Sequence, residues 1–115
     1  MSPHDKPLLW LRGEVKTPPF SVRARSLVGY CLRLVQSGVV LSMPISRPMP
    51  VIGPRCHELR IKDVSHSWRI VYRIDIDAVL VVDVFDKNQS KTPKNVVENC
   101  KKRLTQYDKT SMGSM

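Results

Sequence analysis

The sequence predicts an α+β domain: a short strand and a helix, then a three-stranded antiparallel meander, then a C-terminal helix. Apolar residues recur at helical spacing in residues 24–35 and 96–107, whereas residues 56–85 alternate between apolar and polar types. The chain has 115 residues, which suffices for one modest hydrophobic core. We therefore predict a single domain over residues 1–115, with its core within about 6–108.

The N-terminal half is predicted to hold one strand and one helix. Residues 8–11 form an apolar run typical of an edge strand. A helix follows from near Ser21 and ends at Gly38. Its apolar stripe is Ala24, Leu27, Val28, Cys31, Leu34 and Val35. Residues 42–54 contain four prolines, which predicts an extended loop or a poorly paired edge strand.

The alternation in residues 56–85 predicts which side chains share a face of the sheet. In residues 56–62, Glu58 and Arg60 share one face and His57 lies on the other. In residues 68–76, the apolar face is Trp68, Ile70, Tyr72, Ile74 and Ile76, so both aromatic residues are predicted to lie in the core. Residues 78–85 are apolar on both faces, which indicates a central or covered strand. Its predicted faces are Ala78, Leu80, Val82 and Val84 on one side and Val79, Val81, Asp83 and Phe85 on the other.

The C-terminal helix is predicted to begin at Pro93, with Thr92 as its N-cap residue. Its buried stripe is predicted to be Val96, Val97, Cys100, Leu104 and Tyr107. The predicted sheet therefore packs one face on a helix and exposes basic residues on the other.

Basic residues dominate the charge of the chain. Lys and Arg total 19 against 10 acidic residues, which gives a net charge of +9 and a pI near 9.9. This excess favours a polyanionic partner: nucleic acid, an acidic protein or an anionic membrane surface. No apolar run is long enough to span a membrane, and no secretion signal is visible, so we expect a cytoplasmic protein. The three cysteines predict buried free thiols rather than a disulfide framework, and no metal or other cofactor is expected.

Cations on the predicted strands point to a phosphodiester ligand. Arg60, Arg69 and Arg73 lie on strands and Lys87 follows the last one, and guanidinium groups bind phosphate oxygens in forked geometry. Further basic residues are candidates for nucleic-acid binding: Lys62, Lys91, Lys94, Lys101 and Lys102. Glu58 can act as a base or orient an arginine. The alternative is a solvated sheet face on which the arginines pair with Glu58, Asp75 and Asp83.

Several strings along the chain resemble the RelE/ParE superfamily, in particular its HigB-type, phage-derived branch of toxins from toxin–antitoxin systems. They are HELR at 57–60, WRIVYR at 68–73, VFDK at 84–87, KTP at 91–93 and KRL at 102–104. The helix pattern Arg25, Gly29, Tyr30, Leu32, Gln36 and Gly38 fits the same branch, as do Lys6, Pro7 and Trp10. The resemblance covers roughly residues 6–108.

The resemblance implies a microbial-RNase-like fold and a toxin that cleaves mRNA, usually on the translating ribosome. It implies metal-free attack by the ribose 2′-hydroxyl and silencing by a cognate antitoxin, commonly a small helix-turn-helix protein of the HigA type. The strand arginines of the family fall on Arg60 and Arg69, with Arg73 as a third, and its first lysine after the last strand falls on Lys87.

The chain departs from that family pattern at two positions. Asn88 follows Lys87 where many relatives have a second lysine, and Asp83 stands where several have a histidine. Asp83 can serve as a base or pair with an arginine. Two alternatives therefore stay open beside the nuclease: a ParE-like toxin that inhibits DNA gyrase, and a non-catalytic member that binds RNA or antitoxin.

Overall fold

A computed structural model describes residues 5–12, 19–87 and 92–113 and confirms the predicted α+β class. Its elements follow the predicted order, with one additional strand. They are β1 (Leu8–Trp10), α1 (Val22–Gln36), β2 (Ser46–Pro48), β3 (Cys56–Lys62), β4 (Ser67–Ile74), β5 (Val79–Asp86) and α2 (Lys94–Gly113). No helix among the described residues has both the length and the apolar content needed to cross a bilayer.

The five strands form one mixed sheet in the order β1-β5-β4-β3-β2. The meander β3-β4-β5 is antiparallel as predicted, but β1 pairs with β5 in parallel. The sheet is therefore antiparallel except at this edge, where the N-terminal strand joins it in parallel. The added strand β2 lies in the proline-rich segment and pairs with β3 over three residues. Of the two alternatives for that segment, the poorly paired edge strand is the one observed.

Each face of the sheet packs against one helix, and each interface forms its own apolar cluster. The α1 side buries Val28, Leu32, Leu59, Ile70 and Tyr72, among others. The α2 side buries Val71, Leu80, Val97, Cys100 and Leu104, among others. The second face is thus partly covered by α2, not left wholly to basic residues. Trp68 and Tyr72 lie in the core as predicted, at 5% and 1% exposure. The described cysteines are buried free thiols, also as predicted.

Two apolar residues lie at positions that the periodicity did not predict. Leu27 was predicted to face the core but is 37% exposed, and Leu32 occupies a buried position on α1 instead. Ile76 was predicted to continue the apolar face of β4, but β4 ends at Ile74 and Ile76 is 96% exposed. The chain turns after Ile74, so the strand alternation does not reach Ile76.

A register shift between β4 and β5 reverses the predicted facing of the end of β5. Val71 lies opposite Asp83, whereas Tyr72 lies opposite Val81, so Val82 has no direct partner on β4. Such a bulge changes which residues share a face. Asp83 consequently faces α2, although strict alternation groups it with Val81 on the α1 side. A uniform period of two cannot anticipate this.

The start of α1 is fixed to the β3–β4 hairpin. The Ser21 hydroxyl accepts a hydrogen bond from the Ala24 N–H (3.0 Å), as an N-cap residue does. The Asp63 carboxylate, at the end of β3, accepts from the Ser21 N–H (3.0 Å) and from the Trp68 indole N–H (3.2 Å). These bonds, chiefly that from Ser21, hold the pKa of Asp63 well below its usual range. The first turn of α1 is therefore held beside the hairpin.

The C-terminus of α1 is closed at Gly38, as predicted. Gly38 has φ +98°, a left-handed conformation that glycine adopts without a Cβ penalty. The Gly38 N–H donates to the Val35 carbonyl and the Val39 N–H donates to the Leu34 carbonyl, both at 3.0 Å. This pair of bonds is the Schellman arrangement that closes many helices.

Candidate active site

The structure brings four of the predicted site residues together at the end of the sheet that α2 leaves uncovered. Glu58 and Arg60 lie on β3, Arg69 lies on β4, and Lys87 directly follows β5. Arg60 and Arg69 are direct cross-strand partners, so their side chains share a face. A fifth residue, Arg47 on β2, lies opposite Glu58. We refer to Arg47, Glu58, Arg60, Arg69 and Lys87 as the cation cluster.

Glu58 is the fully buried centre of the cation cluster, at 0% exposure. Its Oε1 lies 3.2 Å from the Arg47 Nε and 3.5 Å from the Arg69 Nε. Its Oε2 accepts a hydrogen bond from the Thr92 hydroxyl at 3.0 Å. Both oxygens are thus engaged, which favours an orienting role over a freely accessible base.

The predicted capping role of Thr92 is wrong, because α2 begins at Lys94 and Thr92 lies two residues before it; the Thr92 hydroxyl donates to Glu58 instead. The carbonyl of Pro93 accepts the first helical hydrogen bonds, from the Val96 and Val97 N–H groups. The start of α2 is in this way tied to the buried carboxylate of β3. The interaction joins residues 34 positions apart in the chain, which local helix signals do not report.

Arg69 is a cation with few partners. Its side chain is 12% exposed, and within the described residues its buried Nε has no hydrogen-bond partner, since the 3.5 Å contact with Glu58 lacks hydrogen-bond geometry. Its Nη1 donates to the carbonyl of Trp68. Burial, opposed by the charge of Glu58, lowers the pKa of Arg69, although the group stays protonated. A desolvated guanidinium in this state gains from an anionic ligand.

Lys87 is the most enclosed of the predicted site's lysines that the structure describes, at 8% exposure. Burial is the largest cause that lowers its pKa. The charge of Glu58 opposes this effect, while Arg47, Arg69 and Arg60 lower the pKa further. A lysine amine with a lowered pKa is able to exchange protons nearer neutral pH than an exposed one.

Positive charge exceeds negative charge in the cation cluster. Arg60 and Arg69 stand directly opposite each other across the β3–β4 pair, an arrangement that is destabilising for like charges. A second carboxylate whose charge acts on Arg69, that of Asp86, is already engaged by the His66 Nδ1 at 2.6 Å and by the Ser67 N–H at 2.9 Å. Folding alone does not favour such an excess, whereas an anion bound on this face would relieve it.

The family comparison matches the region that carries this geometry. The family model of phage-derived Gp49-like proteins (DUF891) matches residues 19–105, which include the whole cation cluster and Thr92. The chain belongs to this family. The Gp49-like family is associated with the toxins of toxin–antitoxin systems. No curated protein matches the chain.

In this Gp49-like chain, Arg73 lies apart from the cation cluster. It is four residues beyond Arg69 on β4, about 13 Å along a strand. Its guanidinium makes four hydrogen bonds of 2.7–3.1 Å to the carboxylates of Asp75 and Asp108. These bonds, chiefly those that Arg73 donates to Asp108, raise the pKa of Arg73. Arg73 is therefore not grouped with Arg60 and Arg69. It fits the alternative prediction, in which an arginine of the sheet pairs with carboxylates.

Asp83 is also separate from the cation cluster. The bulge in β5 turns it toward α2, where its Oδ2 lies 3.3 Å from the Arg103 Nη1. Arg103 also donates to the Val82 carbonyl at 3.1 Å. Of the two roles predicted for Asp83, pairing with an arginine is the one that the structure contains, and the pair holds α2 on the sheet.

The predicted nucleic-acid-binding lysines fall in three places. Lys62 is exposed beside Arg60 and Arg69. Lys94 and Lys101 are exposed on α2 and line a shallow groove with Arg47 and Thr92. Lys102 lies on the outer surface of α2. Lys91 is outside the described residues, as is Asn88.

Arg47 was not among the predicted site residues, although it contacts the central carboxylate. Arg47 lies between prolines in a segment without periodicity, so no local signal assigns it a facing. The facing of His57 was predicted correctly. His57 stacks on Tyr72 on the α1 side, with ring centroids 5.3 Å apart, and His66 is a partly exposed loop residue.

Proposed function

We propose that this Gp49-like protein is the toxin of a toxin–antitoxin system, of the RelE/ParE type and its HigB-like branch, and that it cleaves mRNA. One observation carries the proposal. Arg60 and Arg69 face each other across β3 and β4, beside the buried Lys87, and the carboxylate of Glu58 next to them pairs with Arg69 and Arg47. An arrangement that costs folding energy in the free protein suits a site whose ligand is a phosphodiester.

In the proposed reaction the ribose 2′-hydroxyl attacks the adjacent phosphorus atom. The 5′-oxygen bond breaks, leaving a 2′,3′-cyclic phosphate and a free 5′-hydroxyl. Negative charge grows on the non-bridging oxygens as the five-coordinate transition state forms. Arg60 and Arg69 on the rigid sheet supply cations for that charge, and Arg47 lies next to them.

Lys87 is the proposed proton-transfer group. Its lowered pKa increases the fraction of neutral amine that can accept the 2′-hydroxyl proton. Solvent supplies the proton for the 5′-oxygen. Glu58 is a positioning residue in this scheme, because it is fully buried and its oxygens hold Arg47, Arg69 and Thr92.

The proposed partners follow from the same assignment. A cognate antitoxin, of the small helix-turn-helix type, would silence the protein, and translating ribosomes in the cytoplasm would present the mRNA. The charge of +9 supports binding to ribosomal or messenger RNA. The gyrase alternative gains no comparable support, because a protein target does not require a phosphate-centred group of cations.

Transcript mapping in cells tests the proposal. The wild-type protein is induced in a bacterial host, and the 5′ ends of cellular transcripts are mapped and compared with those from Arg69→Ala and Lys87→Ala. We expect new codon-phased ends in the wild type and a loss of at least about tenfold in each variant, because a transition-state cation or proton acceptor is removed.

Matched controls use basic residues outside the cation cluster. Arg33→Ala on α1 and Lys109→Ala on α2 remove exposed cations and are expected to leave the new ends unchanged. Intact transcripts with accumulating DNA breaks would contradict the nuclease in favour of a gyrase toxin. Growth arrest with neither effect would contradict both and point to the non-catalytic alternative.

A further inference from the structure

A groove of about 390 Å³ lies beside the cation cluster, between the first turn of α1 and the β3–β4 hairpin. Its lining, within the described part of the chain, contains four cations and no acidic residue. The cations are Arg23, Arg60, Lys62 and Arg69. Arg60 and Arg69 belong to the cation cluster, so Arg23 and Lys62 extend its positive surface toward α1.

Arg23 occupies an unfavourable position for helix stability. It lies in the first turn of α1, where the positive end of the helix dipole disfavours cations, and this turn contains no acidic residue. Arg33, in the last turn, has the favourable location. Helix stability therefore favours Arg33 but not Arg23, whereas an anion bound in the groove would offset the charge of Arg23.

The groove also has an apolar side. Leu27 lies one turn beyond Arg23 on α1, and its periodicity predicts burial, yet it is 37% exposed and lines the groove. Pro44 and Ile45 from the segment before β2 complete this surface. Cations next to exposed apolar side chains match the alternation of phosphates with bases and riboses along a single strand of RNA.

The spacing of the cations fits an RNA strand that crosses the edge of the sheet. Arg60 and Lys62 are two residues apart on one face of β3, a separation of about 7 Å along the strand. The Arg60 N–H donates to the Ile45 carbonyl at 2.8 Å, which fixes the apolar side of the groove against β3. The cations and the apolar surface are therefore held in one relative position.

We propose that this groove is an extension subsite for single-stranded RNA. Arg23 and Lys62 bind the phosphate next to the one held by Arg60 and Arg69, and Leu27, Pro44 and Ile45 contact the adjoining ribose or base. The inference rests on the proposed function, because it takes the phosphate at Arg60 and Arg69 to be the one that is cleaved.

Binding of RNA of two lengths tests the subsite. The probes are a 2′-O-methyl RNA of roughly 12 nucleotides, which spans several phosphate contacts, and a 2′-O-methyl dinucleotide, which cannot fill both positions. The 2′-O-methyl group blocks cleavage. Affinities are measured between about 50 and 200 mM salt for the wild type, Arg23→Ala and the matched control Arg33→Ala.

We expect Arg23→Ala to weaken binding of the longer RNA and to reduce the slope of log K against log salt by about 0.7, the value for one phosphate contact on a single strand. Dinucleotide binding stays unchanged, as does all binding by Arg33→Ala. The melting temperature separates an effect on binding from an effect on folding. Arg23→Ala is expected not to lower it, because the substitution removes a positive charge from the positive end of the helix dipole.

Other outcomes overturn the subsite. Equal losses of RNA affinity in Arg23→Ala and Arg33→Ala would mean that the RNA is attracted by the overall charge and not by the groove. If the wild type does not measurably bind the longer RNA, single-stranded RNA is not the ligand of the groove. If Arg69→Ala abolishes cleavage while Arg23→Ala binds the longer RNA like the wild type, the subsite fails and the nuclease stands. If Arg23→Ala alone has its predicted effect and no variant cleaves less than the wild type, the groove binds RNA and the nuclease fails.

Discussion

Strand β4 carries one largely buried arginine near each end, and the two differ in how their charge is neutralised. Arg73 is matched: Asp75 and Asp108 hold its guanidinium with four hydrogen bonds. Arg69 is not matched: it shares Glu58 with Arg47, and its Nε has no hydrogen-bond partner among the described residues. The same residue type on the same strand thus has two different electrostatic environments.

Under the proposed function, the difference separates a structural cation, Arg73, from a ligand-binding cation, Arg69. At the Arg73 end, the ion pair with Asp108 joins β4 to α2. The charge of Arg73 therefore stabilises the fold. The Arg69 end keeps excess positive charge next to Arg60 and Lys87. Charge excess therefore locates the site better than the presence of arginine does.

The largest expected effect is on stability at the Arg73 end. Arg73→Ala leaves Asp75 and Asp108 without their shared partner and should cost about 2–3 kcal/mol of unfolding free energy, less than a fully buried pair because Asp108 is half-exposed. Arg69→Ala should cost about 1 kcal/mol or less, because few bonds are lost. Urea unfolding measures both.

Cleavage should show the reverse order. Arg73→Ala is expected to retain cleavage per folded molecule, whereas Arg69→Ala loses it. Equal destabilisation by the two substitutions, or loss of cleavage in fully folded Arg73→Ala, would contradict the division of β4 into a structural and a binding end.

A smaller effect is expected from Glu58→Gln, which keeps the shape of the side chain and removes its charge. Since the charge of Glu58 raises the pKa of Lys87, its removal lowers that pKa further. A reaction that needs the neutral amine should then reach its plateau at lower pH than in the wild type. The pH profile of cleavage, on translating ribosomes or free RNA, measures this shift.

The same profile distinguishes the two roles of Glu58. If Glu58 is a positioning residue, Glu58→Gln should reduce cleavage and shift its pH profile. The unfolding free energy should then fall by about 1–2 kcal/mol. A general base predicts that cleavage and its rise with pH are both lost in Glu58→Gln. That second result would reassign the proton acceptor from Lys87 to Glu58.

The smallest effect concerns the acid dependence of the Arg73 end. Arg73 lowers the pKa of Asp108 in the folded protein, so its contribution is present above the unfolded pKa and is lost as pH falls through the folded pKa. Asp108→Asn should lower stability at neutral pH by about 1 kcal/mol or less and remove this part of the acid dependence.

Urea midpoints between about pH 2 and 7 check this prediction, since the unfolded pKa of an aspartate is about 3.9. Asp63 and Asp86 also have lowered pKa values, so the wild type and the variant share their contributions, and the difference between the two curves reports Asp108. Asp77→Asn, at an exposed position, is the matched control. A parallel shift at every pH would contradict a role for the Asp108 charge.

Local periodicity determined much of the molecule without help from tertiary structure. The α+β class, the caps of α1 at Ser21 and Gly38, and the burial of Trp68 and Tyr72 all follow from residue spacing. The shared face of Glu58 and Arg60 also follows, because strand alternation is a local property. The family resemblance placed Arg60, Arg69 and Lys87 in the site, and the structure brings these three together around Glu58.

Tertiary structure alone decided which charges are neutralised. Asp108 reaches Arg73 across 35 positions, and Arg47 reaches Glu58 across 11 through an irregular edge strand. A single bulge turns Asp83 away from the cation cluster and toward Arg103. The sequence determined where cations stand on each strand, because side-chain facing depends on near neighbours. It did not determine which cations remain available to a ligand, because pairing depends on residues that only folding brings close.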